Sequence, residues 1–234
     1  MLQNLTSTGQ LVFDSTDLTA EGTTNWAAWH SFERGQSSIS PAFIKKSGMG
    51  NISDIEPEFG GYSVRGREST SLDMSQFYWS ASDEANDLAG PSDRRITGVY
   101  NEDDHSTDSG LGLSISDLPY LAGGQYYQVN LYTTSYYGYG KLYASVGSGP
   151  LITQMGNGAV GDEYTEYFSV AYNPDNSAEV LNFTYLLDQK HPDYSVNFVS
   201  IQAVTLQVIP EPSTFWFLGG GLMWMVVRRW RRRF

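Results

Sequence analysis

Residues 101–108 read Asn101-Glu102-Asp103-Asp104-His105-Ser106-Thr107-Asp108, the densest run of oxygen donors in the chain. Carboxylates at Glu102, Asp103, Asp104 and Asp108 are the hard ligands that Ca²⁺ takes, and a tightly turned backbone would let them wrap one ion. The glycine and distal bidentate Glu of an EF-hand are missing, so a solvated acidic loop is the competing reading. Two aromatic groups come next. Tyr136, Tyr137 and Tyr139 surround Gly138 and stand beside Gly140, while Trp26 and Trp29 precede His30. Aromatic faces of this kind could stack on the C–H face of a sugar ring. Core packing is the alternative for both groups, and three tyrosines at a turn have fewer places to be buried than two tryptophans in a strand.

Hydrolysis of a polysaccharide would need two carboxylates at a defined separation. Glu56 with Glu58, Asp83 with Glu84 and Asp87, and Glu163 with Glu166 supply carboxylates only as any acidic chain does. The three histidines, His30, His105 and His191, are too scattered to suggest a zinc site. Neither a Gly-Xaa-Ser-Xaa-Gly elbow nor a phosphate-binding glycine loop occurs, and the absence of cysteine removes thiolate metal sites, disulfides and a Cys nucleophile. The expectation is therefore a protein that is not an enzyme and holds no cofactor, with Ca²⁺ as the one optional ion.

Those groups must be positioned by a body of short strands. Among 234 residues there are 24 Gly, 9 Pro and 16 Tyr against 17% charged residues, too aromatic for a disordered chain and too rich in turns for a helical bundle. Runs rich in β-branched and aromatic residues fall at 126–134, 141–146, 163–172, 178–186 and 196–208. In the first, Tyr127, Val129, Leu131 and Thr133 alternate with Tyr126, Gln128, Asn130 and Tyr132, which predicts a sheet with one dry face. Gly138 and Gly140 predict a turn joining this run to 141–146 as a hairpin. No amphipathic helix is expected before residue 213. The resulting fold class is all-β, a jelly-roll-like antiparallel sandwich over residues 11–208. Residues 1–209 carry 9 basic against 25 acidic residues, a net charge of −16 that repels phosphate backbones and excludes nucleic acid as a partner.

The last segment is of a different kind. Pro210-Glu211-Pro212-Ser213-Thr214 is followed by the apolar run 215–227 and then by Arg228, Arg229, Arg231, Arg232 and Arg233. Residues 213–230 span about 27 Å as a helix, close to the hydrocarbon thickness once Trp216, Trp230 and the arginine stems reach into the interface. A single C-terminal transmembrane helix is expected, its arginines holding the tail end in the cytoplasm and placing the body on the far side. A buried helix or a surface-lying basic helix fits less well, because the apolar residues run all round the helix. This succession of motif, apolar helix and arginine cluster over 209–234 closely resembles the PEP-CTERM protein-sorting signal of Gram-negative bacteria. The resemblance implies a substrate of an exosortase, a multi-spanning inner-membrane enzyme, cut near the Pro-Glu-Pro motif and delivered to the cell surface or exopolysaccharide matrix. Two prolines would keep the segment before the membrane extended and accessible.

Export also calls for a leader, yet residues 1–10 hold neither a positive charge nor an apolar run. A start codon further upstream is the first expectation, a piece of a longer sequence the second, and targeting by the tail alone the third. A second resemblance, loose and over residues 20–208, is to the galactose-binding-like sandwich common in PEP-CTERM proteins. It rests on Asn25-Trp26-Ala27-Ala28-Trp29, on the 131–149 segment and on the final strand at 199–214, and His30 departs from the glycine often found after the second Trp. The reading is an exported, non-enzymatic surface or matrix protein. The alternative task is that of a lectin-like polysaccharide-binding module, with Ca²⁺ at the 101–108 loop as an optional aid.

Overall fold

A computed structural model describes residues 2–7, 15–30, 42–46, 48–58, 64–66, 78–80, 99–101, 110–156, 163–193 and 197–210. In chain order the elements begin with β1 (Leu2–Ser7), β2 (Ser15–Asp17), the four-residue helix α1 (Leu18–Glu21), β3 (Asn25–His30) and β4 (Ala42–Lys45). Short strands follow: β5 (Asn51–Ile52), β6 (Glu56–Glu58), β7 (Val64–Gly66), β8 (Tyr78–Ser80) and β9 (Val99–Asn101). The remainder are β10 (Gly110–Ser116), β11 (Gln125–Tyr136), β12 (Gly138–Val146), β13 (Ile152–Met155), β14 (Glu163–Tyr172), β15 (Leu181–Lys190) and β16 (Phe198–Pro210).

One sheet runs β1-β14-β11-β16-β3-β4, with β9 also on β16 and β7 on β9; the other runs β13-β12-β15-β10-β5, with β6 also on β10. All pairs in these two sheets are antiparallel, and β2 with β8 forms a separate parallel pair. The pairs β3·β16, β10·β15, β11·β14 and β12·β13 nest inside one another. That order arises when one long antiparallel ribbon is rolled over into two sheets, the double Greek key of a jelly roll. The core lies between the sheets. Tyr127, Val129 and Leu131 of β11 and Phe168 and Val170 of β14 face Leu111, Leu142, Phe183 and Tyr185 of the opposite sheet. Phe168 meets Tyr185 edge-on with ring centroids 5.6 Å apart.

The five expected runs are all strands, with ends moved by a few residues. Three details differ. First, 126–134 and 141–146 are not a hairpin: β11 pairs with β14 and β16, β12 with β13 and β15, so the chain crosses from one sheet to the other at Tyr137. The turn residue is Tyr137 itself, with φ +48°, and Gly138 and Gly140 belong to β12. Second, α1 stands where the sequence pattern predicts no helix. Asp17 caps it by accepting hydrogen bonds from the Thr19 and Ala20 amides at 3.0 and 3.3 Å, and Leu18 is buried. Third, the dry face of β11 has a second dry side in its middle, because Asn130 and Tyr132 are each only 3% exposed. Burial, first, and the Glu21 carboxylate of α1, among the weaker causes, push the Tyr132 hydroxyl well above its ordinary value.

β16 carries a bulge at Gln202, since Tyr132 pairs with Ala203 and Thr133 with Ile201. The extra residue resets the alternation, so Val204 and Leu206 on one side of it and Ile201 and Val199 on the other all reach the core. Among the described residues no helix is long and apolar enough to cross a membrane. β16 ends at Pro210, and Glu211, Pro212, Ser213 and Thr214, expected to belong to a sorting motif, lie outside the described residues with Arg228, Arg229, Arg231, Arg232 and Arg233.

Candidate functional site

β12 reads Gly138-Tyr139-Gly140-Lys141-Leu142-Tyr143-Ala144 over its first seven residues, which alternate strictly between buried and half-exposed positions. Gly140, Leu142 and Ala144 point to the core, so Tyr139, Lys141 and Tyr143 stand in a row on the outer face of the six-stranded sheet. From Tyr139 to Tyr143 the row runs about 13 Å. The Lys141 ammonium lies 5.3 Å from the centre of the Tyr143 ring and 3.4 Å from Asp188 Oδ1. Tyr143 first and Asp188 second hold the Lys141 pKa above its ordinary value, so the cation stays engaged. Across the ladder, Tyr143 is opposite Thr184 on one side and Thr153 on the other, and Tyr139 is opposite Gln189. Rings are thus flanked by hydroxyl, amide and carboxylate groups on a solvent-facing sheet.

The row continues round the corner to Tyr137. A left-handed backbone at a bulky residue costs roughly 1–2 kcal/mol, so it persists only where neighbours hold it. Here the Tyr137 carbonyl accepts from the His191 amide at 2.8 Å, and the Tyr137 and His191 rings meet edge-on at 6.4 Å. The His191 amide also donates to Asn197 Oδ1 at 3.0 Å, and His191 Nδ1 accepts from the Asp193 amide at 3.1 Å. The corner is half-exposed and braced.

Beneath it the inner faces become polar. Thr133, Ser135 and Glu166 are fully buried, and Glu166 is opposite Thr133 in the ladder. The Tyr185 hydroxyl is pushed far up, by burial first and by the Glu166 carboxylate second, so it stays neutral at any ordinary pH. Gly140 and Gly156 make room for these groups. A Cβ on Gly140 would lie 1.9 Å from the Tyr185 hydroxyl, and one on Gly156 2.1 Å from Glu166 Oε1.

Of the expected site residues, Tyr137 and Tyr139 stand at this corner, and Tyr136 closes β11, its side chain outside the described set. Trp26 and Trp29 are both completely buried, so neither ring offers a face to a ligand, and core packing accounts for them. Trp29 joins the inter-sheet core and donates from Nε1 to Asp54 Oδ1 at 2.8 Å; Trp26 lies on the opposite face of β3, against Gly22 at the end of α1. The candidate Ca²⁺ ligands Glu102, Asp103, Asp104 and Asp108 lie outside the described residues, as do Asp83, Glu84 and Asp87. Of the carboxylates in β14, Glu166 is fully buried and the side chain of Glu163 lies outside the described residues. Lys141, Tyr143, Asp188 and His191 join the candidate site without belonging to any motif in the sequence. The alternation of 138–144 could have flagged the first two, whereas Asp188 and His191 arrive through a β15 ladder that sequence does not show.

No protein-family model matches the chain, and no curated protein matches it. Among solved structures it is similar to that of TmCBM61 in complex with β-1,4-galactotriose, at 13% identity and a TM-score of 0.33, over 64% of this chain and 90% of that one. A likeness of that size carries no weight for fold or ligand.

Proposed function

We propose that this chain is an exported surface or matrix protein whose sandwich binds polysaccharide along Tyr137, Tyr139 and Tyr143, and that residues 209–234 act as a PEP-CTERM-type sorting signal read by an exosortase. The observation that carries the binding is the row itself: Tyr139, Lys141 and Tyr143 at alternate positions of β12 and Tyr137 at the turn before it, all partly exposed, with Thr184, Gln189 and Asp188 beside them to meet hydroxyl groups. Apolar ring faces next to a few fixed polar groups are what orientation of a sugar chain requires. The route to the outside rests on the tail sequence, its Pro-Glu-Pro motif, apolar run and arginines.

Affinity electrophoresis through the producer's own polysaccharide tests the binding. Wild type is expected to be retarded, and Tyr139→Ala with Tyr143→Ala to restore free mobility. Equal, unretarded migration of wild type would end the proposal.

A further inference from the structure

The three large apolar side chains that stand exposed among the described residues are Met49, Tyr120 and Leu151, at 49%, 62% and 62%. They come from three different loops, yet the ladder brings them to one pole. Met49 precedes β5, which pairs with the last residues of β10; Tyr120 lies between β10 and β11; Leu151 follows the turn after β12. Gln125 at the start of β11 pairs with Pro210, so the chain leaves the sandwich toward residue 211 at this same pole.

These side chains are presented on braced backbone. The Tyr127 hydroxyl donates to the Pro119 carbonyl at 2.9 Å, and Asn173 clasps Leu121 through bonds of 3.1 and 2.9 Å and reaches the Gln125 carbonyl at 3.1 Å. Gly50 packs against Leu118, and the Gly147 and Gly149 amides tie the β12–β13 turn to Val180 and Val146. Three exposed apolar side chains held on braced loops at one end, spread from the β5 edge to the β13 edge, can meet one flat surface together.

We infer that this pole rests on the bilayer surface, with Met49, Tyr120 and Leu151 entering the interfacial zone. The inference depends on the tail spanning the membrane, as proposed above. Four residues, 211–214, separate Pro210 from the apolar run at 215. Even fully extended they reach only about 14 Å, of which the headgroup layer takes roughly 5–7 Å, so the pole has little room to stand clear of the lipid. Asp117 and Asp175 share this end and are exposed, which disfavours attraction to anionic lipid and leaves apolar insertion as the contact. The Tyr137 corner is at the far end of β11, about 37 Å away, and so points away from the bilayer.

The chain contains no cysteine, so a single fluorophore can be placed at Ala122→Cys, Ser148→Cys or, at the opposite pole, Gln189→Cys. Full-length protein is reconstituted into phosphatidylcholine vesicles containing a lipid with a headgroup quencher. Loss of emission is expected at 122 and 148 and not at 189, unchanged by salt, and reversed when Met49, Tyr120 and Leu151 are all replaced by Ser while the protein still floats with the vesicles. Flotation with equal emission at all three positions would overturn the resting pole and leave the membrane span standing, as would self-association that shields 122 and 148 without quenching them. Failure to float would remove the span and this inference with it.

Discussion

Gly140→Ala separates two accounts of the same residue by the sign of its effect. If Gly140 served a flexible turn with an ordinary backbone angle, alanine would stiffen the unfolded chain and stabilise the protein by about 0.4–1 kcal/mol. In the structure Gly140 is a strand residue whose added Cβ would fall 1.9, 2.2 and 2.5 Å from the hydroxyl, Cζ and Cε2 of Tyr185. Three side-chain atoms would have to retreat inside a packed core where Tyr185 is itself fully buried, and overpacking of this sort costs roughly 1–3 kcal/mol. Urea unfolding of the full-length chain in mild detergent, followed by tryptophan emission, should show a lower midpoint with an unchanged slope. In a Tyr185→Ala background the ring is gone and the penalty should vanish, so the coupling in the double-mutant cycle should equal most of the single-mutant cost. A midpoint that rises with Gly140→Ala, or a penalty that persists without the ring, would refute the packing account.

Other consequences arise from single contacts. Asp54→Ala should cost about 1–3 kcal/mol in the same assay, because it strips the partner from the buried Trp29 Nε1–H and from the Ile55 amide. Tyr132, Tyr172 and Tyr185 all hold their protons more tightly when folded than the ordinary tyrosine value of 10, burial being the first cause in each. Stability should therefore be full below pH 10 and fall above it, as the unfolded chain ionises while the folded one stays neutral; Tyr185→Phe should flatten that fall, and an unchanged slope between pH 10 and 11 would count against the assignment. Replacing Arg228, Arg229, Arg231, Arg232 and Arg233 by Glu should disturb membrane orientation, read by protease access to the body from either side, and a normally oriented variant would undo the topology reading. Glu211→Gln should slow processing if the sorting enzyme reads the carboxylate, which intact mass of the mature protein would show.

The strands were legible because period-two alternation and β-branched or aromatic content are local properties of 126–134, 163–172 and 196–208. Their partners were not, since pairing in a rolled ribbon joins residues as distant as Trp26 and Thr205. The sheet change at Tyr137 illustrates the difficulty. Glycines at 138 and 140 look like turn glycines, but the space they provide is for Leu187 and Tyr185 arriving from β15. The short α1 was invisible to a search for long amphipathic periods, although Asp17 and Gly22 are ordinary cap residues. Within the candidate site, Tyr137 and Tyr139 could be picked out by type, while Asp188 and His191 depend on register. Trp26 is buried with Gly22, at the end of α1, against its Cβ, a tertiary contact that no local pattern announces.

Hydroxyl-radical footprinting of the tyrosines, with and without the producer's polysaccharide, tests the central claim most directly because the protein supplies its own controls. Tyr127 and Tyr185 are fully buried and should stay unreactive, and Tyr120 is exposed at the opposite pole. Polysaccharide should protect Tyr137, Tyr139 and Tyr143 and leave Tyr120 as reactive as before. Protection of Tyr120 alone, or of no tyrosine at all, would contradict a sugar-binding row on β12.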